Sequence, residues 1–441
     1  MNTRQTLELL SAYESRNVTF VERDGSWPIV WDRARGVHVW DAEGRRYVDL
    51  TAAFGVVAAG HANARVVRAG RDQMGKLLHA MGDVHPHALK AQLARELSRL
   101  TFERWLSRPD DTPGPATRGK VIFCNSGFEA VEAALKTALL ATARPGVIAF
   151  EGAYHGLGYG ALNTTHRGFF RTPFARQLVN FGHFLPFPEA SGKPGSQTDL
   201  SRLEARLKTS MARCNIGAIL VEPVQGRGGI RLPNPGFLPM LRRLCDRYKA
   251  LLIVDEIYTG FGRTGKWFAC EHWGTVPDLI CLGKALTGGF PLSACVGRAA
   301  LMDAAWPPSH GEAIHTSTFL GHPVGCAMAL AQVAEIKSRK LVAASERLGN
   351  FLLECLRAEL ASLPCVKEIR GIGLMAGVEL CTRDGKPGTD LALAAMKSML
   401  GQGYIVLPDG EWGNVISFTP PLTITRPQLR AAARALGEAL A

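Results

Sequence analysis

Two apolar runs, each ending on a residue able to do chemistry, stand close together in the segment 250–291, ALLIVDEIYTGFGRTGKWFACEHWGTVPDLICLGKALTGGFP. The first ends on the carboxylates Asp255 and Glu256, the second on Gly283-Lys284. A lysine amine kept partly neutral by burial can form a Schiff base with a carbonyl. A buried aspartate can hold a heterocycle's ring nitrogen protonated and so turn the ring into an electron sink. These are the two protein groups that pyridoxal phosphate requires. The same spacing also fits a blander account, with Asp255 capping a helix and Lys284 solvated.

Positions for such a pair follow from the elements that must carry them. Short apolar runs bounded by glycine read as buried strands of an α/β sheet. Ligands of such sheets sit beyond the carboxyl ends of the strands. Asp255 and Lys284 then face one pocket from two strand ends. CNSGFEAVEAALK (124–136) puts Ser126 and Gly127 between a strand end and a helix start, where free N–H groups and the helix dipole can cradle a phosphate. Ser126 equally suits a plain N-cap. Tyr154-His155-Gly156 follows another strand, and an aromatic there can stack on a planar ring or pack in its loop.

Strands are expected at 120–124, 147–150, 216–222, 251–255, 278–282 and 294–297, with helices at 127–143, 199–213 and 236–249. That alternation predicts a largely parallel sheet covered on both faces. Residues 36–50 alternate around Glu43-Gly44 as a hairpin does. Residues 64–106 read as helical with a break near His85-Pro86-His87, 108–119 as a surface loop, and 322–360 as one long helix. The expected division is an N-terminal arm (1–63), a large domain (64–321) and a smaller C-terminal α/β unit (322–441) joined to the arm.

Composition narrows the class. The chain has 441 residues, 46% hydrophobic and 20% charged, as ordinary globular proteins do. The net charge of +12 is spread along the chain rather than gathered into a patch, which does not suit nucleic-acid binding. No apolar run approaches membrane-spanning length, the first residues lack an export signal, and the ten cysteines show no paired spacing. These features point to reduced thiols and the cytoplasm. Gly260-Phe-Gly262-Arg-Thr-Gly265 and Gly371-Ile-Gly373-Leu-Met-Ala376 match a dinucleotide glycine pattern, but neither opens a helix, so both read as turns. HExxH, zinc-like spacing and GxSxG are absent.

From about Gly36 to Thr425 the chain resembles the class III aminotransferases, of fold type I among pyridoxal phosphate enzymes. The resemblance rests on NSGFEAVEAALK, GAYHG, LVEPVQGRGG, IVDEIYTGFGRTG, PDLICLGKALTGGFPLSA, HTSTFLGHP, RGIGLMAGVEL and FTPPLTIT, in that order. It implies that Lys284 carries the cofactor and moves the proton, that Asp255 pairs with the pyridinium nitrogen, and that Tyr154 and Ile257 flank the ring. It implies further that Ser126 and Gly127 hold the phosphate with Thr318 of the partner subunit, that His155 lies at the cofactor, and that Glu222 supports Asp255. A shared site implies a homodimer.

Four positions depart from the family pattern. Phe128 replaces a small, often hydroxylated residue beside the phosphate, and Tyr258 replaces a glutamine. Ser417 stands where many members that bind an α-carboxylate have arginine, and serine cannot make that bidentate clamp. Arg227 replaces an acidic or small residue and is the alternative reader of a carboxylate, or else a solvated loop arginine. Trp27, Phe54 and Trp412 are candidates to line a pocket for an apolar amine, or core and interface residues. The expected activity is transfer of an amino group from an amine or ω-amino acid to an oxo acid such as pyruvate. The alternatives are an amino-acid or aminolactam racemase or epimerase of the same family, and a non-catalytic binding protein.

Overall fold

The structure, a computed structural model, describes residues 1–22, 27–107, 114–190 and 200–441. After a first helix, Thr3–Tyr13, come three strands, β1 (Trp31–Arg35), β2 (His38–Asp41) and β3 (Arg46–Asp49), paired antiparallel in sequence order. The hairpin foreseen at Glu43-Gly44 joins β2 to β3, with Gly44 at φ +84°, a conformation that suits glycine.

The next seven strands make one sheet: β4 (Gly119–Cys124), β5 (Gly146–Phe150), β6 (Gly182–Leu185), β7 (Ile216–Val221), β8 (Leu251–Asp255), β9 (Leu279–Leu282) and β10 (Ser293–Arg298). Their spatial order is β4-β10-β9-β8-β7-β5-β6, with β10 antiparallel to both neighbours and the other pairs parallel. GVIAF, IGAILV and LICL are buried throughout, as strands covered on both faces must be. Successive residues point to opposite faces. Leu220, Ile253, Cys281 and Cys295 pack under Ala130, Ala134 and Ala138 of the helix Gly127–Thr142. Ile219, Val221, Leu252 and Val254 meet Leu203 and Leu207 of Leu200–Arg213 and Leu241 of Phe237–Tyr248.

The six strands expected here are present within a residue or two of their bounds. The edge strand β6 was not foreseen, because GHFL offers only a brief apolar signal. Of the loop expected at 108–119, residues 108–113 lie outside the described residues, and Pro115–Thr117 forms a short 3₁₀ turn.

One expectation is corrected beyond residue 322. The long helix is two, Pro323–Ser338 and Leu341–Leu360, separated where Lys340 adopts φ +51°. The first packs on Ala64–Lys76, with Gly70 against Met328, and the second on Arg426–Leu440. Two different partners require a change of direction, and this packing overrides a local periodicity that runs straight through. The remaining strands are β11 (Val366–Gly371), β12 (Ala376–Leu380), β13 (Tyr404–Ile405), β14 (Leu407–Asp409) and β15 (Val415–Phe418). An antiparallel sheet β11-β12-β15-β14 results, while β13 pairs parallel with β3 and ties the two ends of the chain together. Both glycine-pattern stretches are turns, the second between β11 and β12. Among the described residues no helix is long and apolar enough to cross a membrane.

Candidate active site

Neighbouring strands β8 and β9 deliver the two chemical groups. Asp255 ends β8, and Lys284 follows β9 after Gly283. A cavity of about 420 Å³ opens there, lined among others by Tyr154, Arg227, Asp255, Ile257, Tyr258 and Lys284. Lys284 has φ +37°, a left-handed conformation costly for a residue with a Cβ and found mostly where function requires it. Its Nζ lies 4.6 Å from the centre of the Tyr258 ring. Burial pushes the amine's pKa down, against the opposing pull of Asp255 and Glu222, so the neutral, nucleophilic form becomes more accessible.

The Asp255 carboxylate is held at both oxygens. Oδ2 lies 2.8 Å from His155 Nδ1, and Oδ1 accepts the Ile257 N–H at 3.1 Å. His155 is itself fixed, donating its backbone N–H to Thr165 Oγ1 at 3.0 Å, while that hydroxyl donates to Gly156 O at 2.8 Å. Glu222, expected near Asp255 as a supporting acid, also grips backbone. Its two oxygens accept the N–H groups of Tyr154 at 2.8 Å and Gly226 at 3.0 Å, and the nearby charge of Asp255 acts on it. Burial pushes its carboxyl up to about 7.

At the start of helix Gly127–Thr142, Glu129 rather than a serine hydroxyl accepts the N–H groups of Asn125 and Ser126, at 2.6 and 2.9 Å. Ser126 Oγ is buried without a partner. A Cβ on Gly127 would sit 3.1 Å from Ile257, a cavity-lining side chain. An orphaned hydroxyl, a helix N-terminus and a close-packed glycine fit a phosphate, while Asp255 fits a ring nitrogen. These residues therefore suit pyridoxal phosphate. Phe128 is partly exposed and packs against Gly156 and Gly158. Thr318 is exposed and does not line its own chain's cavity.

The far wall differs most from expectation. Arg227 lines the cavity, its guanidinium 5.9 Å from the Tyr154 ring centre and its Nη1 3.7 Å from Asp409 Oδ1. Ser417 is not idle: its hydroxyl donates to Asp409 Oδ2 at 2.6 Å. Sequence reasoning missed Asp409, whose signal, an acid closing the short strand β14, was masked by the following Gly410. Tyr258 is wedged between two glycines, where a Cβ on Gly55 or Gly226 would fall 2.4 or 2.2 Å from its ring. Its hydroxyl lies 3.0 Å from Thr419 Oγ1, and burial pushes its pKa up to about 12. Gly55 reaches the ring through a left-handed turn in which Ala52, Ala53, Phe54 and Gly55 all have positive φ.

The three aromatic candidates lie elsewhere. Phe54 is exposed, Trp27 packs against core residues, and Trp412 is exposed at the rim of a neighbouring polar cleft. None lines the cavity of its own chain, because the turn at 52–55 directs Gly55 inward and Trp27 is taken up in packing.

With this geometry in place, comparison with known proteins is direct. The family model described as aminotransferase class-III matches residues 20–440. The chain is 36% identical to the 5-aminovalerate aminotransferase of Pseudomonas aeruginosa, with 93% of each protein covered. It is 37% identical to an acetylornithine aminotransferase of Methanopyrus kandleri, over 94% of this chain and 95% of the relative. The ornithine aminotransferase of Toxoplasma gondii, solved with partial occupancy of PLP at its active site, superposes with a TM-score of 0.83 at 29% identity, covering 99% of this chain and 94% of that one. The chain belongs to the class III aminotransferases, pyridoxal-phosphate-dependent enzymes of fold type I.

Proposed function

We propose that this enzyme takes the terminal amino group of an ω-amino acid or amine and passes it to an oxo acid such as pyruvate. The observation that carries this reading is the pairing of Lys284 and Asp255 at one end of the cavity with the cation of Arg227 on its wall. A substrate whose amine meets Lys284 and whose remote carboxylate meets Arg227 satisfies both ends.

Bound pyridoxal phosphate supplies the electron sink for removal of a proton beside the substrate nitrogen. The chain's own residues do the rest. Lys284, its amine pushed toward the neutral form by burial, would take the proton from the substrate carbon and hold it at Nζ for return. Asp255, held by His155 and the Ile257 N–H, would pair with the ring nitrogen. Tyr154 and Ile257 would bracket the ring and Ser126 and Gly127 would hold the phosphate, while Glu222 fixes the two loops that carry Tyr154 and Gly226. Phe128 closes that end with bulk instead of a hydroxyl. We further propose a homodimer in which Thr318 of the partner subunit completes the phosphate site. The exposure of the same residue in the single chain supports this arrangement.

A racemase or epimerase has less support, since the matched relatives named here are aminotransferases. Deuterium entering an enantiopure amino acid's Cα without oxo acid formation would revive it.

Arg227→Ala tests the substrate reading. For 5-aminopentanoate with pyruvate, KM should rise about tenfold or more, the value of a charge-assisted bond, while an uncharged amine keeps its KM. Equal KM values for the acid in both proteins would overturn the proposal.

A further inference from the structure

Tyr258 lines the cavity, and the roles proposed above leave its side chain unused. Its hydroxyl is already committed. Thr419 Oγ1 donates to Thr51 O at 3.1 Å, so in the 3.0 Å bond between the two hydroxyls the tyrosine is the donor and has no proton left for the cavity. Burial and the charge of Asp409 push the phenol up to about 12, so it stays neutral. What Tyr258 offers the cavity is the face of its ring. Lys284 Nζ lies 4.6 Å from the ring centre, within the range at which an ammonium is drawn to an aromatic face. Both ring edges are held, between Gly55 and Gly226, where a Cβ would fall 2.4 or 2.2 Å from ring carbons. Burial drives the Lys284 amine toward its neutral form, Asp255, Glu222 and Asp409 draw it back, and Arg227 opposes them. Those acids act as charges, and among the described residues none of them bonds to Nζ.

Resting on the reading of Lys284 as the residue that takes the substrate proton, we propose that Tyr258 is its positioning residue: the ring face seats the Lys284 ammonium while the hydroxyl only anchors the ring. The glutamine of the family pattern has no such face. Here a π-surface stands in its place, and a lysine in a buried pocket stays basic enough to accept a proton and is held in register to return it.

The test reads the acidity of Lys284 in enzyme loaded with pyridoxamine phosphate, where Nζ is free. The rate at which acetic anhydride acetylates Lys284, followed across neutral and alkaline pH by mass spectrometry of its peptide, gives the acid dissociation constant of the ammonium. Tyr258→Leu should make that ammonium about tenfold more acidic, and Tyr258→Phe should leave its acidity within about twofold of wild type. Phenylalanine carrying one, two or three ring fluorines in place of Tyr258 keeps the ring and drains electrons from its face, so acidity should rise stepwise along the series. Equal acidity along the fluorinated series, or a Tyr258→Phe protein as altered as Tyr258→Leu, overturns the inference. The series decides the matter even where the leucine protein does not fold. Borohydride reduction of the pyridoxal phosphate form separates the two levels. An adduct on Lys284 together with a flat fluorine series leaves the reading of Lys284 standing and removes only the role of Tyr258. An adduct on another lysine removes the reading of Lys284, and this inference falls with it.

Discussion

Gly226→Ala isolates how strictly the Tyr258 ring is held over Lys284. The backbone at Gly226 has no positive φ, so alanine meets no conformational penalty there and only space opposes it. The added Cβ would stand 2.2 Å from Tyr258 Cδ1 and 2.8 Å from Cε1, so the ring must retreat by an ångström or more to reach ordinary contact. Retreat is blocked by Gly55, whose own Cβ position lies 2.4 Å from the opposite ring edge, and by the bond to Thr419 at 3.0 Å. Overpacking of this kind costs about 1–3 kcal/mol. Displacement of a group beside the reacting lysine by about 1 Å costs on the order of 100-fold in rate. Thermal melting of the holoenzyme and single-turnover kinetics with an amine donor would read the two effects. Gly75→Ala is the control: it is exposed on the helix Ala64–Lys76 with nothing within 4 Å, and alanine there should be neutral or stabilising by up to about 1 kcal/mol. If Gly226→Ala melts and turns over like Gly75→Ala, the tight placement of Tyr258 has no consequence and the reasoning is wrong.

Two further perturbations probe the acids. His155→Ala removes a buried bond to Asp255 and should lower kcat for every donor by about tenfold or more, with partial rescue in His155→Asn; identical kcat in all three proteins would remove His155 from the account. Glu222→Gln should alter the pH dependence of stability. A carboxyl raised by burial from its ordinary 4.5 to about 7 binds its proton more tightly when folded, so wild-type stability falls as pH rises through that window, by about 3 kcal/mol at most. Melting curves of Glu222→Gln from pH 5 to 8 should show a shallower decline, and parallel curves would contradict the assignment.

Much of this site was legible in the chain because its chemistry hangs on strand ends. Leu251–Val254 and Leu279–Leu282 are short, wholly apolar runs, and Asp255 and Lys284 are the first polar side chains able to act beyond them. The pairing of His155 with Asp255 joins residues 100 positions apart, and no local pattern announces it. Gly55 and Gly226 read as turn residues, whereas their role is to leave room for Tyr258. Ser417 registered only as a missing arginine, although its hydroxyl holds Asp409. The break at Lys340 was equally hidden, because it arises from the different partners of the two helices rather than from glycine or proline.

The central claim is that Lys284 carries the cofactor. Borohydride reduction of the yellow holoenzyme, followed by proteolysis and mass spectrometry, should place a pyridoxyl adduct on the peptide containing Lys284 and abolish activity. An adduct on another lysine, or an active enzyme without one, would contradict the account.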